Sequence, residues 1–175
     1  MSLKDSIRTI PDFPKQGIMY RDITTLLANP KALKGAISQL AEALKAHEPD
    51  MIAGIEARGF IFGAAVAAEL GLGFIPVRKA GKLPHDTYSQ DYELEYGTDT
   101  LEVHKDVVAQ GARVVLIDDL IATGGTALAA AALLRRAGAS VVAAGFVIDL
   151  PDLEGAKKLE AADIPAISLV AYEGH

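Results

Sequence analysis

Residues 114–126 read Val114-Val115-Leu116-Ile117-Asp118-Asp119-Leu120-Ile121-Ala122-Thr123-Gly124-Gly125-Thr126. The apolar, β-branched start of this stretch, preceded by Gly111, predicts a buried strand over 113–117 that ends in the Asp118-Asp119 pair. Two glycines and two threonines follow, and a helix is expected from about 125 to 137, stopped by Gly138. Glycine lets backbone N–H groups approach an anion closely, and a helix start adds unpaired donors and partial positive charge. Ala122, Thr123, Gly124, Gly125 and Thr126 are therefore expected to cradle a phosphate, with the threonine hydroxyls as extra donors. Carboxylates would repel that phosphate at contact distance. Asp118 and Asp119 should face another part of the same ligand, either ribose hydroxyls or a hydrated Mg²⁺. The plainer reading is a capped helix behind a surface Asp pair.

Outward from this stretch the chain alternates strand and helix signals. Asn29-Pro30 reads as an N-cap with proline at the first helical position, opening a helix that ends near His47. Strands are expected over 51–55, 74–77, 140–148 and 166–169, and helices over 60–70 and 153–162. Such alternation implies an α/β fold, a mostly parallel twisted sheet with helices on both faces. Ligands bind at the carboxyl ends of such strands, so the chemistry should follow Ile55, Val77 and Ile117. Between 80 and 100 the character changes. Gly, Pro, His, Asp and Ser come first, then Tyr88, Tyr92, Leu94 and Tyr96 alternate with polar residues, as in an exposed hairpin with its return strand at 101–104.

Composition narrows the function. The 175 residues fit one domain, expected to span 1–175, and 50% hydrophobic with 23% charged residues is ordinary for a globular chain. A net charge of −6 argues against a nucleic-acid-coating surface, though not against a local basic pocket. No Cys is present, which removes disulfides, thiolate metal sites and cysteine nucleophiles. Residues 1–5 lack a secretory signal, and no apolar run approaches the ~18 residues of a membrane span. A cytoplasmic protein without membrane or nucleic-acid partners is expected. The P-loop pattern and the dinucleotide glycine fingerprint are both missing. His47, His85, His104 and His175 show no metal-ligand spacing, so no metal is assigned to protein side chains.

The 118–126 segment resembles the phosphoribosyl pyrophosphate motif of the type I phosphoribosyltransferases. The resemblance extends over almost the whole chain to the branch of that family that uses adenine. It is carried by Phe13-Pro14 and Gly17, Tyr20-Arg21-Asp22-Ile23-Thr24, Glu56-Ala57-Arg58-Gly59-Phe60, Arg78-Lys79-Ala80-Gly81-Lys82-Leu83-Pro84, Leu94-Glu95-Tyr96-Gly97 and Leu101-Glu102-Val103-His104-Lys105-Asp106. Tyr20 departs from the pattern, standing where the family more often has Phe.

The resemblance implies a family fold with an N-terminal hood and a flexible β-hairpin loop. It implies a purine salvage enzyme, a pentosyl transferase that makes AMP and pyrophosphate from adenine and phosphoribosyl pyrophosphate, with Mg²⁺ and as a homodimer. Arg58, Arg78, Lys79 and Lys82 would meet the pyrophosphate, as would the Glu56-Ala57-Arg58 loop, which in the family commonly carries a non-proline cis peptide. Asp118 and Asp119 would bind the ribose hydroxyls and stabilise positive charge developing on the sugar. Met19, Tyr20 and Arg21 would cover the base, with Tyr20 stacked on one ring face and Leu120 lining the other; Tyr96 joins the substrate contacts. Glu95 would reach the base as its proton acceptor, so that Glu95, Asp118, Asp119 and Arg58 form the catalytic set. Read from the residues alone, Tyr20 also suits a half-buried core position, and Arg21 an ion pair with Asp22 or with a neighbouring subunit. Two alternative functions stand beside this one: transfer to another purine such as xanthine or hypoxanthine, and a non-catalytic regulator that senses phosphoribosyl pyrophosphate. The second usually carries an added nucleic-acid-binding region, for which the matched blocks leave no room.

Overall fold

A computed structural model describes residues 2–94 and 97–174. In chain order the first half comprises β1 (Arg8–Pro11), β2 (Met19–Asp22), α1 (Thr24–Leu27), α2 (Pro30–Lys45), β3 (Met51–Ile55), α3 (Arg58–Leu70) and β4 (Gly73–Lys79). The second half comprises β5 (Thr87–Glu93), β6 (Thr98–His104), β7 (Arg113–Ile121), α4 (Gly125–Arg136), β8 (Ser140–Asp149), α5 (Gly155–Ala161) and β9 (Ala166–Ala171).

Strand β7 is apolar on both faces because it is the centre of the fold. Val114 and Leu116 point into one core, Val115 and Ile117 into the other, and all are fully buried. This is how a strand covered on both sides reads. Among the described residues it belongs to a seven-stranded sheet of order β5-β6-β4-β3-β7-β8-β9. The run from β4 to β9 is parallel, and the β5–β6 hairpin is added antiparallel at the β4 edge. On one face, Leu40, Leu44, Phe62 and Val66 of α2 and α3 pack on Ile52, Val115, Ile117 and Val147. On the other, Ala130, Leu133, Leu134 and Leu159 of α4 and α5 pack on Ala53, Ile55, Leu116 and Phe146. Each large side chain buried this way stabilises the fold by about 1.5–3 kcal/mol. Ala127, Ala129, Ala130 and Ala131 of α4 are buried in the same core, which sets the start of the helix at the strand ends.

The expected mostly parallel sheet, two-sided helices and hairpin are all present. The Asn29 cap also forms: its side chain accepts from the N–H groups of Lys31 and Ala32, at 3.1 and 3.2 Å. Several bounds differ from the sequence reading by one to three residues: α3 starts at Arg58, β4 spans Gly73–Lys79, β6 starts at Thr98, β8 ends at Asp149, α5 spans Gly155–Ala161 and β9 ends at Ala171. Two differences are larger. Strand β7 does not stop at the Asp pair but runs on to Ile121, because β8 continues alongside it, pairing Leu120 with Ile148 and Ile121 with Asp149. The N-terminal segment contains an antiparallel ribbon of β1 and β2, with Arg8 opposite Asp22 and Pro11 opposite Met19. Its strands are mostly exposed or half-buried, so their residues carry no strong apolar alternation.

Candidate active site

The parallel strands deliver their carboxyl ends to a single edge, where three cavities meet. The first, about 170 Å³, is lined by residues 122–126 together with Asp118. Gly124 precedes α4 with φ +87° and ψ 0°, a conformation that a side chain would strain. A Cβ there would also lie 3.0 Å from Gly155 Cα. The loop therefore turns tightly into the first turn of α4, where unpaired N–H groups gather.

A second cavity, about 330 Å³, lies over the ends of β3 and β4 and includes Glu56, Ala57, Arg58, Lys79, Asp119 and Thr126. The Glu56–Ala57 peptide is cis. The cations expected here are not waiting unpaired. Glu56 accepts from Lys82 Nζ at 2.5 Å and from the Lys79 N–H at 2.7 Å, and Arg78 Nε stands 3.4 Å away. Burial pushes the Glu56 carboxyl up, but Lys82, the Lys79 N–H and Arg78 outweigh it and hold it below the usual range. Lys79 Nζ pairs with Asp99 at 3.2 Å. An arriving polyanion would exchange places with these carboxylates rather than fill an uncompensated positive hole.

The third cavity, about 320 Å³, lies between the ribbon and the ends of β7 and β8, among Ile18, Met19, Tyr20, Arg21, Leu120 and Leu150. Tyr20 is held by an edge-to-face contact with Phe13, centroids 5.1 Å apart. Arg21 does not pair with Asp22. Its guanidinium donates to Thr9 Oγ1 at 2.7 Å and lies 4.2 Å from the Tyr172 ring centroid. Asp22 is taken instead by Arg8, at 2.5 Å, because antiparallel pairing sets residue 8 directly opposite residue 22, whereas Arg21 belongs to the next register position. Hydrogen bonds from the Thr24 hydroxyl and N–H, then Arg8, lower the Asp22 carboxyl to about 2.

Asp118 lines all three cavities, while Asp119 and Arg58 line the second and third. The two aspartates therefore differ in kind. Asp119 is buried and accepts from Arg58 Nε at 2.5 Å. Asp118 accepts the Asp119 N–H at 2.8 Å, and its carboxyl is pushed well above the ordinary range, chiefly by burial and then by the Asp119 charge. Such a group suits a partner that brings positive charge with it.

Among the residues expected from sequence, the structure gathers Met19, Tyr20, Arg21, Glu56, Ala57, Arg58, Lys79, Asp118, Asp119, Leu120 and residues 122–126 around these cavities; Arg78 and Lys82 reach them through Glu56. Glu95 and Tyr96 lie outside the described residues. Sequence reasoning missed Tyr92 and Leu94, which line the second cavity, Asp99, which holds Lys79, and Leu150, which closes the third. The alternation of Tyr88 and Tyr92 marked one hairpin face but not what it would meet. A larger cavity, about 600 Å³, lies elsewhere, between the N-terminal turn, α2 and β9, with Lys4 and Lys31 but no carboxylate in its wall. The strand-end cavities combine acid, base and aromatic groups and are the better candidate.

Comparison with known proteins places the chain in one family. Residues 22–169 match the family model described as a phosphoribosyl transferase domain. An adenine phosphoribosyltransferase of Parvibaculum lavamentivorans is 60% identical over 175 residues, covering 100% of both chains. The crystal structure of the adenine phosphoribosyltransferase of Thermoanaerobacter pseudethanolicus superposes with a TM-score of 0.92 at 52% identity, covering 97% of this chain and 98% of that one. The Saccharomyces cerevisiae enzyme, solved with adenine and an imino-altritol bisphosphate, gives 0.89 at 40% identity over 96% of each chain. With a matching family model, a full-length relative at this identity and the shared fold, the chain belongs to the adenine phosphoribosyltransferase family.

Proposed function

We propose that this chain transfers the phosphoribosyl group of phosphoribosyl pyrophosphate to adenine, releasing AMP and pyrophosphate. The observation that carries the reading is Asp118, the residue shared by a phosphate-type loop, a cavity ringed by cations and a cavity walled by Tyr20, Leu120 and Leu150. A substrate whose reacting carbon sits over Asp118 would have its 5′-phosphate in 122–126. Its pyrophosphate would lie toward Ala57, Arg58, Arg78, Lys79 and Lys82, and the base between Tyr20 and Leu120. In the reaction the bond from the anomeric carbon to the pyrophosphate oxygen breaks, and a bond from that carbon to N9 of adenine forms. Positive charge grows on the sugar between these events, and the Asp118 and Asp119 carboxylates stabilise it in place. The base loses one ring proton, for which Glu95 is the proposed acceptor. Met19 and Arg21 read the base edge through main-chain groups, and Tyr96 completes the substrate contacts.

Mg²⁺ belongs to this reading as a companion of the substrate. Substrate oxygens would hold most of it, with no side chain as a direct ligand; Asp118, where the three cavities meet, offers a hard oxygen to the cation's water shell. The metal would supply charge neutralisation for the leaving pyrophosphate. A homodimer in the cytoplasm is part of the same proposal; the exposed Phe13, Ile18, Met19 and Ile61 offer apolar surface for a second subunit.

Adenine presents an amino donor beside a ring acceptor, and hypoxanthine reverses that pattern. A buried edge-reading site rejects the mismatched partner by about 10⁴–10⁵. The test is steady-state kinetics with adenine, hypoxanthine, guanine and xanthine, each with phosphoribosyl pyrophosphate and Mg²⁺. Adenine is expected to lead by that margin in kcat/KM. Comparable values for hypoxanthine would move the assignment to another purine, and tight binding without turnover of any base would leave the regulator.

A further inference from the structure

The phosphate loop rests on a second backbone stretch distant in sequence, at Gly155. Gly155, the first residue of α5, donates its N–H to the Ala122 carbonyl at 3.1 Å. A Cβ on Gly155 would lie 2.5 Å from that same oxygen, 2.8 Å from Ile121 Cγ1 and 2.9 Å from the Gly124 nitrogen. The packing is reciprocal: a Cβ on Gly124 would lie 3.0 Å from Gly155 Cα and 3.1 Å from its carbonyl oxygen. Two of the three atoms facing Gly155 are loop backbone, which cannot rotate away as a side-chain tip could. The segment entering Gly155 is itself anchored. Leu150 donates its N–H to the Ile121 carbonyl at 3.0 Å, and the turn at Pro151–Leu153 closes through Leu153 N–H to Leu150 O at 3.0 Å.

The peptide group is planar and trans, so its C=O and N–H point in opposite directions. Turning the Ala122 carbonyl toward Gly155 therefore turns the Thr123 N–H away from it. It also removes a partial negative charge from the side where an anion would sit. We propose that Gly155 is a positioning residue for 5′-phosphate binding: its N–H and its missing side chain together set the orientation of the peptides from 122 to 124. This rests on the proposed role of 122–126 as the phosphate loop. Leu150, at the start of the same segment, walls the base cavity, so one short stretch supports two parts of the site.

Isothermal titration with ribose 5-phosphate and with pyrophosphate separates this role from a general structural one. In Gly155→Ala, the Kd for ribose 5-phosphate should rise about tenfold or more, the effect of misaligning one charge-assisted hydrogen bond. The Kd for pyrophosphate, which depends on the ends of β3 and β4, should change less than twofold. Gly145→Ala is the matched comparison. It sets a Cβ 2.8 Å from Leu44 Cδ1 in the core, so it should lower the Tm while leaving the ratio of the two Kd values at the wild-type level. Should Gly155→Ala not fold, amide hydrogen exchange in the wild-type protein decides: saturating ribose 5-phosphate should slow exchange at Gly155, whose N–H is tied to the loop. Equal affinity of Gly155→Ala and wild type for ribose 5-phosphate, equal losses for both ligands, or unaltered Gly155 exchange on saturation overturns the inference. Wild-type protein that fails to bind ribose 5-phosphate overturns the phosphate-loop reading itself.

Discussion

Asp118 and Asp119 are neighbours in sequence with opposite environments, one left open to three cavities and the other neutralised by Arg58. Because burial raises the Asp118 carboxyl in the folded chain, the folded state holds that proton at pH values where an unfolded aspartate, near 3.8, has lost it. Stability of the free protein then rises as pH falls from the folded value toward 3.8, and ionised Asp118 costs stability above it. Asp118→Asn keeps an oxygen to accept the Asp119 N–H but cannot ionise. Melting curves across pH should show its Tm pulling ahead of wild type as pH rises through the Asp118 titration, by ~2–4 °C for each kcal/mol released. A gap that is constant with pH would place the stabilisation elsewhere. The same variant should lose about 10²–10³ in kcat, the usual cost of removing one preorganised electrostatic stabiliser. Glu95 is tested at this scale as well. As a general base, Glu95→Gln should keep KM values near wild type and lower kcat by about 10²–10⁴, with the exposed Glu93→Gln as control. Wild-type turnover by Glu95→Gln, with chemistry rate-limiting, would assign proton acceptance to another group. Glu102 makes a poor control, since it accepts from the Gly81 N–H at 2.8 Å and from Thr87 Oγ1 at 3.1 Å and so holds the base of the hairpin.

The β5–β6 hairpin is fixed to α4 at one place and to the site at another. Arg136 of α4 donates to the Ser89 carbonyl and lies 5.8 Å from the Tyr88 ring centroid. Four residues further on, Tyr92 lines the cationic cavity beside Thr126 and Asp99; burial and then the Asp99 charge raise its phenol. The hairpin thus enters the cavity wall through the same strand that α4 grips. An exposed cation–π contact is worth about 0.5–1 kcal/mol, so Arg136→Ala should barely move the Tm but loosen the grip. Amide exchange over residues 89–92 should quicken, and KM for both substrates should rise by about two- to fivefold. Unaltered exchange in that strand would mean that β6 and the pairing of Arg78 with Glu102 hold the hairpin without help from α4.

At the scale of the whole molecule, the two ends of the chain converge beneath the third cavity, the one walled by Tyr20, Arg21 and Leu150. Lys4 Nζ donates to the Ala171 carbonyl at 2.8 Å and lies 4.7 Å from the Tyr172 ring centroid. Tyr172 donates its N–H to Asp149 at the end of β8, at 3.0 Å, and its ring carries Arg21 from the cavity wall. The β1–β2 ribbon thus stands on a residue just past the last strand of the sheet. Tyr172 is buried in the core with Ile7 and Ile23. Tyr172→Ala should cost about 3–5 kcal/mol of stability, as for a deleted core aromatic. It should also raise KM for adenine more than KM for phosphoribosyl pyrophosphate, whereas Tyr172→Phe keeps the ring and should stay near wild type on both counts. Equal effects on the two KM values would confine Tyr172 to the fold.

What the sequence determined by itself was the local chemistry. The strand–Asp-Asp–Gly-Gly–helix run over 114–126, the Asn29-Pro30 cap and the continuous apolar run of β7 each depend on residues within a few positions of one another. Short-range sterics, capping and burial periodicity therefore make them readable. Tertiary structure decided the pairings. Arg58 reaches Asp119 across 61 positions, and Lys82 reaches Glu56 across 26. Arg8 rather than Arg21 claims Asp22 because of ribbon register, and β7 outruns its own pattern because β8 lies beside it. Gly155 reads as nothing more than a residue inside the expected 153–162 helix until it is found against Gly124. Local rules set what each segment can form. The choice among many possible charge partners, and the depth at which each is buried, depends on which strand ends come side by side, and packing of the two cores settles that.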